Sequence, residues 1–179
     1  LIDGVPQEDL RLGACVANVG KFICIGLNYA DHAAESGMPV PAEPVIFNKW
    51  TSAIVGPNED VKIPKGSEKT DWEVELGIVI GEGGSDISEA DAMKHVAGWL
   101  EVDGKRYQNG STSTMVFKVP HLIAYCSRYM SLQPGDIIST GTPPGVGLGF
   151  NPPIYLKGGE EMKLGIDKLG VQCQRVVKA

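Results

Sequence analysis

Two glutamates one residue apart open the run Trp72-Glu73-Val74-Glu75-Leu76-Gly77-Ile78-Val79-Ile80. In an extended chain successive side chains alternate between faces, so Glu73 and Glu75 share one side while Trp72, Val74, Leu76, Ile78 and Ile80 share the other. The apolar stretch after Glu75 predicts a strand that soon becomes buried on both faces. Two carboxylates at its entrance repel each other unless a cation or a shared proton compensates. Hard divalent ions favour such oxygen ligands. The spacing alone also suits an edge strand with a solvated glutamate face, since charged residues are common on surface strands.

A second group, Gly26-Leu27-Asn28-Tyr29-Ala30-Asp31-His32-Ala33-Ala34-Glu35, follows a short apolar run. If Asp31–Glu35 forms a helical turn, His32 and Glu35 lie three apart and meet on one side. A carboxylate beside imidazole orients it and raises its basicity, which suits a general base acting on water; a solvated surface contact has the same spacing. A third group, Ser139-Thr140-Gly141-Thr142-Pro143-Pro144-Gly145-Val146-Gly147, combines hydroxyls with residues that permit close backbone approach. It could hold a carboxylate through N–H and hydroxyl donors or be an ordinary Gly/Pro turn. Lys49 and Gln108 are candidate additional donors. His95 and His121 have no partner spaced as in a transition-metal site and read as structural. Neither a Gly-x-Ser-x-Gly elbow nor a Walker loop is present.

The elements that must position these groups are short. With 23 Gly and 12 Pro between brief apolar runs, the 179 residues predict a mostly β (α+β) single domain. Expected strands are Phe22–Ile25, Val45–Phe47, Trp72–Ile80, Leu100–Val102, Met115–Phe117, Asp136–Ser139 and Gln172–Val177. Helices are expected from Ser88 to about Val96, opened by a Ser88-x-x-Asp91 capping pattern, and from Pro120 to about Met130, with proline in the first turn. Asp103–Gly104 signals a type I′ hairpin, and Leu132-Gln133-Pro134-Gly135-Asp136 a turn feeding the next strand. A 42% hydrophobic content suffices for one core.

Twenty-two acidic against 16 basic residues, without a basic cluster, argue against nucleic acid or an anionic membrane as partner and favour a small molecule. Cys15, Cys24, Cys126 and Cys173 form no Cys-x-x-Cys pattern, and Cys24 and Cys126 sit among apolar residues. With no apolar run long enough to span a bilayer and no signal-peptide pattern, a cytoplasmic protein with reduced thiols is expected.

Taken in order, several segments resemble the fumarylacetoacetate hydrolase family: Ile25-Gly26-Leu27-Asn28-Tyr29-Ala30-Asp31-His32, Glu43-Pro44-Val45-Ile46-Phe47-Asn48-Lys49, Asp71-Trp72-Glu73-Val74-Glu75-Leu76, Asn109-Gly110-Ser111-Thr112, and Pro134-Gly135-Asp136 leading to Thr140-Gly141-Thr142-Pro143. Through Leu27, Lys69-Thr70-Asp71-Trp72 and Thr142-Pro143-Pro144-Gly145 it resembles the bacterial 2,4-diketo-3-deoxy-L-fuconate and L-rhamnonate hydrolase subgroup. The resemblance implies a mixed β-sandwich roll, or β-barrel-like fold, with a few short helices, usually a homodimer. It implies Glu73 and Glu75 as ligands of Mg²⁺ or Mn²⁺ (or Ca²⁺ in crystals), His32 and Glu35 as a catalytic dyad on a lid, and Thr142 at the substrate carboxylate. Lys49 matches a family position whose role it leaves open.

The resemblance breaks at one place. The family has an Asn-Asp-Val-Ser segment just after the match to Val96-Ala97-Gly98, followed by a Lys-containing, Gly-rich stretch. Here Trp99-Leu100-Glu101-Val102 follows at once. By resemblance, the third carboxylate ligand and an active-site lysine belong to that segment. A true deletion would remove core-adjacent strands with it. The expectation is therefore one catalytic domain over 1–179 whose sequence omits a disordered segment near 99–100 and has a shortened N-terminus. The activity implied is metal-dependent hydrolysis of a C–C bond in a small 2,4-dioxo acid. Alternatives are a 2-oxo acid decarboxylase of oxaloacetate type, a ureidoglycolate lyase-like enzyme, and, in another class, a non-catalytic acid-binding β-domain.

Overall fold

The computed structural model describes residues 11–100, 107–166 and 169–179. Two sheets carry the molecule, with strands β1 (Phe22–Gly26), β2 (Val45–Asn48), β3 (Val61–Ile63), β4 (Gly77–Ile80), β5 (Val96–Leu100), β6 (Ile137–Ser139), β7 (Glu161–Ile166) and β8 (Gly170–Lys178). A five-stranded sheet runs β2-β1-β6-β4-β5 and a three-stranded one β3-β8-β7. Within the larger sheet β1 and β6 are parallel and the other neighbours antiparallel. This is the mostly β fold with few helices that the sequence led us to expect; among the described residues neither sheet closes into a barrel.

The main core lies on one face of the larger sheet. Ile23, Ile25, Ile78, Ile80 and Ile138 pack there against Leu122, Ile123 and Cys126 of helix α2 (Val119–Tyr129), which has Pro120 in its first turn. These residues are 0–3% exposed, and burying each isoleucine or leucine side chain is worth about 1.5–3 kcal/mol. The turn into β6 is set by Asp136, fully buried. Its carboxylate accepts the Lys21 N–H, the Lys21 ammonium at 2.6 Å and the Gln133 N–H. A smaller core of Ile63, Leu156 and Val176, with Trp72 and Met162 against it, serves the second sheet.

Several expected elements take another form. Ser88 and Asp91 make the predicted capping contacts, but the chain winds only into a 3₁₀ turn, Ala92–His95, before entering β5. Pairing of Val96, Gly98 and Trp99 with β4 takes these residues out of any helix. The long strand Trp72–Ile80 is a strand only from Gly77, because the preceding N–H groups go to side chains: Trp72 N–H to Asp71 and Val74 N–H to Gln108. Met115–Phe117 forms no strand either. Asn28 engages the backbone of Phe117 with its side chain and that of Val116 with its carbonyl, leaving one isolated bridge, Tyr29 to Met115. Strands β3 and β7 were not expected. The Asp103–Gly104 hairpin and the Glu101–Val102 part of its strand lie outside the described residues.

Cys24 and Cys126 are buried free thiols, and burial pushes them up to about 11 and about 12. Among the described residues no helix is long and apolar enough to cross a membrane.

Candidate active site

The site is built around the loop that leaves β6, residues 139–149. Three polar groups from distant parts of the chain hold its first half. Glu75 Oε2 accepts the Ser139 hydroxyl at 2.6 Å and the Gly141 N–H at 2.9 Å. Thr140, fully buried, donates both its N–H and its hydroxyl to the Leu76 carbonyl. The Asn28 amide donates to the Thr140 carbonyl at 2.8 Å.

Asn28 arrives there because the chain leaves β1 through Leu27, whose φ of 54° turns it sharply in the left-handed region. Gly141, φ 93°, is needed opposite: a Cβ there would lie 2.9 Å from the Asn28 Cβ and 3.0 Å from the Ile25 carbonyl oxygen.

The same turn delivers the dyad. Helix α1 (Ala30–Glu35) places Glu35 one turn after His32, and Glu35 Oε1 meets His32 Nδ1 at 2.8 Å. The expected helical turn and pairing therefore form. His32 is 8% exposed, so the pair is no solvated surface contact. A carboxylate at Nδ1 makes that nitrogen the N–H donor and leaves Nε2 as the acceptor able to take a proton. Both oxygens of Glu35 also accept the Gly145 N–H, at 3.1 and 3.0 Å.

Gly141 and Gly145 are four residues apart, so at most about 14 Å of chain separates the points where this loop grips Glu75 and Glu35.

Between those points lies Thr142, 3% exposed. Its Oγ1 accepts from the Gln108 amide at 2.7 Å, and among the described residues its own hydroxyl hydrogen has only the Pro143 carbonyl at 3.5 Å. Gln108, expected as a substrate donor, is hydrogen-bonded within the protein. Both hydrogens of its amide are taken, by Thr142 and by the Pro143 carbonyl at 2.7 Å, while its oxygen accepts the Val74 N–H. It braces the loop against the Glu73–Glu75 segment. Lys49, half-exposed just beyond β2, reaches Glu73 Oε2 at 4.0 Å.

Glu75 is partly buried, Glu73 exposed. Burial, and then the negative charge of Glu73, push the Glu75 carboxyl up to about 7, against the lowering effect of Ser139, Gly141 and Lys49. Uncompensated negative charge in a desolvated place is what a divalent cation relieves, so the pair fits two positions of an oxygen-ligand site. It does not complete one: among the described residues no three His, Cys, Asp or Glu side chains converge for a metal.

Two contributors had no role assigned from the sequence. Asn28 was only part of a motif, and its short polar side chain gave no sign that it would be fully buried. Asp71, beside the glutamate pair, accepts the N–H groups of Trp72, Gly147 and Leu148. The glycines of Gly145-Val146-Gly147-Leu148-Gly149 were the available signal, since closely spaced glycines mark backbone that something approaches.

The model of the fumarylacetoacetate (FAA) hydrolase C-terminal region matches residues 21–100 and 99–177, two pieces that meet at Trp99 and Leu100. A provisionally named hydrolase of Burkholderia orbicola (strain MC0-3) is 50% identical over 230 aligned residues, spanning 100% of this chain and 80% of its own length. That alignment is longer than the 179 residues here, so part of it faces no residue of this chain. Among solved structures, a Mycobacterium abscessus protein named a 2-hydroxyhepta-2,4-diene-1,7-dioate isomerase is 28% identical with a TM-score of 0.87, covering 100% of this chain and 83% of its own. A fumarylpyruvate hydrolase from Pseudomonas aeruginosa, in complex with Mn²⁺ and pyruvate, is 26% identical with a TM-score of 0.78 and 98% coverage of both chains. With the model matching nearly the whole chain and a half-identical relative spanning all of it, the chain belongs to the fumarylacetoacetate hydrolase family.

Proposed function

We propose that this protein hydrolyses a C–C bond of a small 2,4-dioxo acid, a 2,4-diketo-3-deoxy sugar acid or an acylpyruvate, with Mg²⁺ or Mn²⁺ at Glu73 and Glu75. The observation that carries the reading is the pair of buried His32 and partly buried Glu35 anchored to the same loop that anchors Glu75, with Thr142 between the anchors. A base for water and a carboxylate pair suited to a cation thus share one framework. The hydrolase neighbour solved with Mn²⁺ and pyruvate supports the choice of ion and of product.

When bound, the cation would supply Lewis acidity toward the substrate's oxo group. Glu35 holds the His32 ring through Nδ1, and His32 Nε2 takes a proton from water, whose oxygen attacks the distal carbonyl. The C–C bond next to that carbonyl breaks, its electron pair passing to the oxo-acid half, which is then protonated to pyruvate or a 2-oxo acid. The Thr142 hydroxyl, whose oxygen accepts from Gln108 and whose hydrogen faces the Pro143 carbonyl at 3.5 Å, donates that hydrogen to the substrate carboxylate, and Lys49 adds positive charge beside Glu73. A third carboxylate ligand and a further lysine are assigned to residues omitted between about Trp99 and Leu100; the two-piece family match and the longer alignment support this. The protein in this reading is a cytoplasmic homodimer, and light scattering should give twice the mass of one protomer.

A second reading is isomerisation, favoured by the isomerase name of a structural neighbour. It needs His32 to move a proton between carbons and no attacking water. The complete gene product should be incubated with acylpyruvates and with 2-hydroxydienoic diacids, with Mn²⁺ or with EDTA, and the products followed by NMR. Pyruvate formed only with metal supports hydrolysis. An isomer of unchanged mass supports the second reading, and full turnover in EDTA rejects the metal.

A further inference from the structure

Asp71 lies outside the dyad and the glutamate pair, yet it is tied to the loop that serves both. Its Oδ1 accepts the Gly147 N–H at 2.7 Å and its own neighbour's N–H, from Trp72, at 2.8 Å; its Oδ2 accepts the Leu148 N–H at 2.7 Å. Hydrogen bonds to an ionised acceptor are short and about twice as strong as neutral ones. Here they cap the 3₁₀ turn Gly147–Gly149 from a residue 76 positions away. The adjacent Trp72 indole N–H donates to the Gly145 carbonyl at 3.1 Å. Asp71 and Trp72 together grip the loop on both sides of Val146.

The loop needs an external grip because its glycines have little stiffness of their own. It cannot carry side chains in their place. A Cβ on Gly145 would fall 1.9 Å from the Tyr107 carbonyl oxygen, and one on Gly147 would fall 1.8 Å from that of Ile154. Gly145, held at its carbonyl by Trp72, is also the residue whose N–H meets both oxygens of Glu35. Gly149 closes over the same carboxylate, where a Cβ would stand 2.6 Å from Oε2. The orientation of Glu35, and through it the tautomer and aim of His32, depends on where this loop sits.

We infer that Asp71 is a positioning residue for the His32–Glu35 dyad, acting through the Gly145–Gly149 loop. This rests on the reading of His32 as the base. The chain of contacts is continuous: Asp71 to Gly147 and Leu148, Trp72 to Gly145, Gly145 to Glu35, Glu35 to His32. In Asp71→Asn one oxygen can still accept, but the new amide group faces an N–H it cannot receive.

The test uses the full-length protein with ¹⁵N-labelled histidine, wild type, Asp71→Asn, and Trp72→Phe as a milder change that keeps the ring. The wild-type His32 imidazole should show a hydrogen-bonded Nδ1–H proton far downfield. In Asp71→Asn that signal should weaken or exchange away and kcat should fall about ten- to a hundredfold with KM and Mn²⁺ affinity unchanged. Trp72→Phe should shift both in the same direction by less. An unchanged His32 spectrum in a folded Asp71→Asn protein overturns the inference, as does a kcat loss with that spectrum intact. Should Asp71→Asn fail to fold, Trp72→Phe decides by the same criteria. If the wild type cleaves no 2,4-dioxo acid, the functional reading fails, while the spectra still decide the role of Asp71.

Discussion

Glu35 accepts the Gly145 N–H with both carboxylate oxygens while Oε1 also meets His32 Nδ1 at 2.8 Å. One side chain thereby orients the His32 ring and latches helix α1 to the loop after β6. The latch has little spare room, because Gly149 lies directly over the carboxylate. This makes the dyad sensitive to residues that never touch substrate.

Gly149→Ala is the sharpest check. The added Cβ would stand 2.6 Å from Glu35 Oε2 and 2.7 Å from its Cδ, so the carboxylate must shift and His32 with it. Turnover should fall about ten- to a hundredfold, the scale of a misplacement near 1 Å. Gly13→Ala, with nothing within 4 Å of its Cβ, serves as the control. Equal activity of the two variants would show that Glu35 need not hold this position.

Asn28 carries a stability prediction. Its side chain donates to the Phe117 and Thr140 carbonyls and accepts the Phe117 N–H. Asn28→Ala strands those groups, and each buried polar group left unpaired costs about 1–3 kcal/mol. Chemical denaturation should show a loss of several kcal/mol. Asn28→Asp should be worse still, since it sets a carboxylate against two carbonyl oxygens. A loss below about 1 kcal/mol for the alanine variant would mean that water replaces the amide.

How far the sequence revealed this arrangement depended on the kind of signal. The strands of the main core were legible because apolar, β-branched residues between turn formers mark them, and α2 because proline opens its first turn. His32 and Glu35 could be paired from helical spacing alone. The late start of the Trp72–Ile80 strand was not legible, since it is set by Asp71 taking the Trp72 N–H and by Gln108, distant in sequence, taking that of Val74. Gln108 illustrates the same limit. Its residue type promised donors, but only the folded neighbourhood shows that Thr142 and Pro143 use both. The Ser88 cap formed without its α-helix because the next residues pair with β4.

The Glu75 carboxyl makes stability depend on pH in the metal-free protein. Burial and Glu73 raise it from 4.5 to about 7. Between those values the folded state binds more protons than the unfolded state, so stability falls as pH rises through that window. Below about pH 4.5 the contribution is fully present, and above about pH 7 it is gone. Each unit of such a shift corresponds to about 1.4 kcal/mol, so the melting temperature in EDTA should drop measurably between these limits. Glu75→Gln should flatten this part of the curve and be the more stable protein at pH 8. Saturating Mn²⁺ should oppose the trend, because it binds the ionised form. An unchanged slope in Glu75→Gln would remove Glu75 as its source.

In the proposed mechanism the dyad and the glutamate pair serve different steps, so their variants should separate in two measurements. His32→Ala removes the base and leaves the carboxylates, so turnover should fall about 10²- to 10⁴-fold while calorimetric Mn²⁺ affinity stays at the wild-type level. Glu73→Ala removes one of two adjacent carboxylates and with it part of the oxygen cage, so affinity and turnover should fall together. Excess Mn²⁺ should then restore part of the activity of Glu73→Ala and none of that of His32→Ala. Lys49→Ala offers a third point. Lys49 sits 4.0 Å from Glu73 Oε2, with both side chains more than 40% exposed, so it competes only weakly with a cation for that carboxylate. Its loss should leave Mn²⁺ affinity equal or slightly higher, with any turnover defect appearing in KM through weaker attraction of the anionic substrate. The measurements are pyruvate release from acylpyruvates and calorimetric titration of each variant after EDTA treatment. Full activity of His32→Ala on the best hydrolytic substrate would remove the dyad from the mechanism. Undiminished Mn²⁺ affinity in Glu73→Ala would move the cation away from the pair.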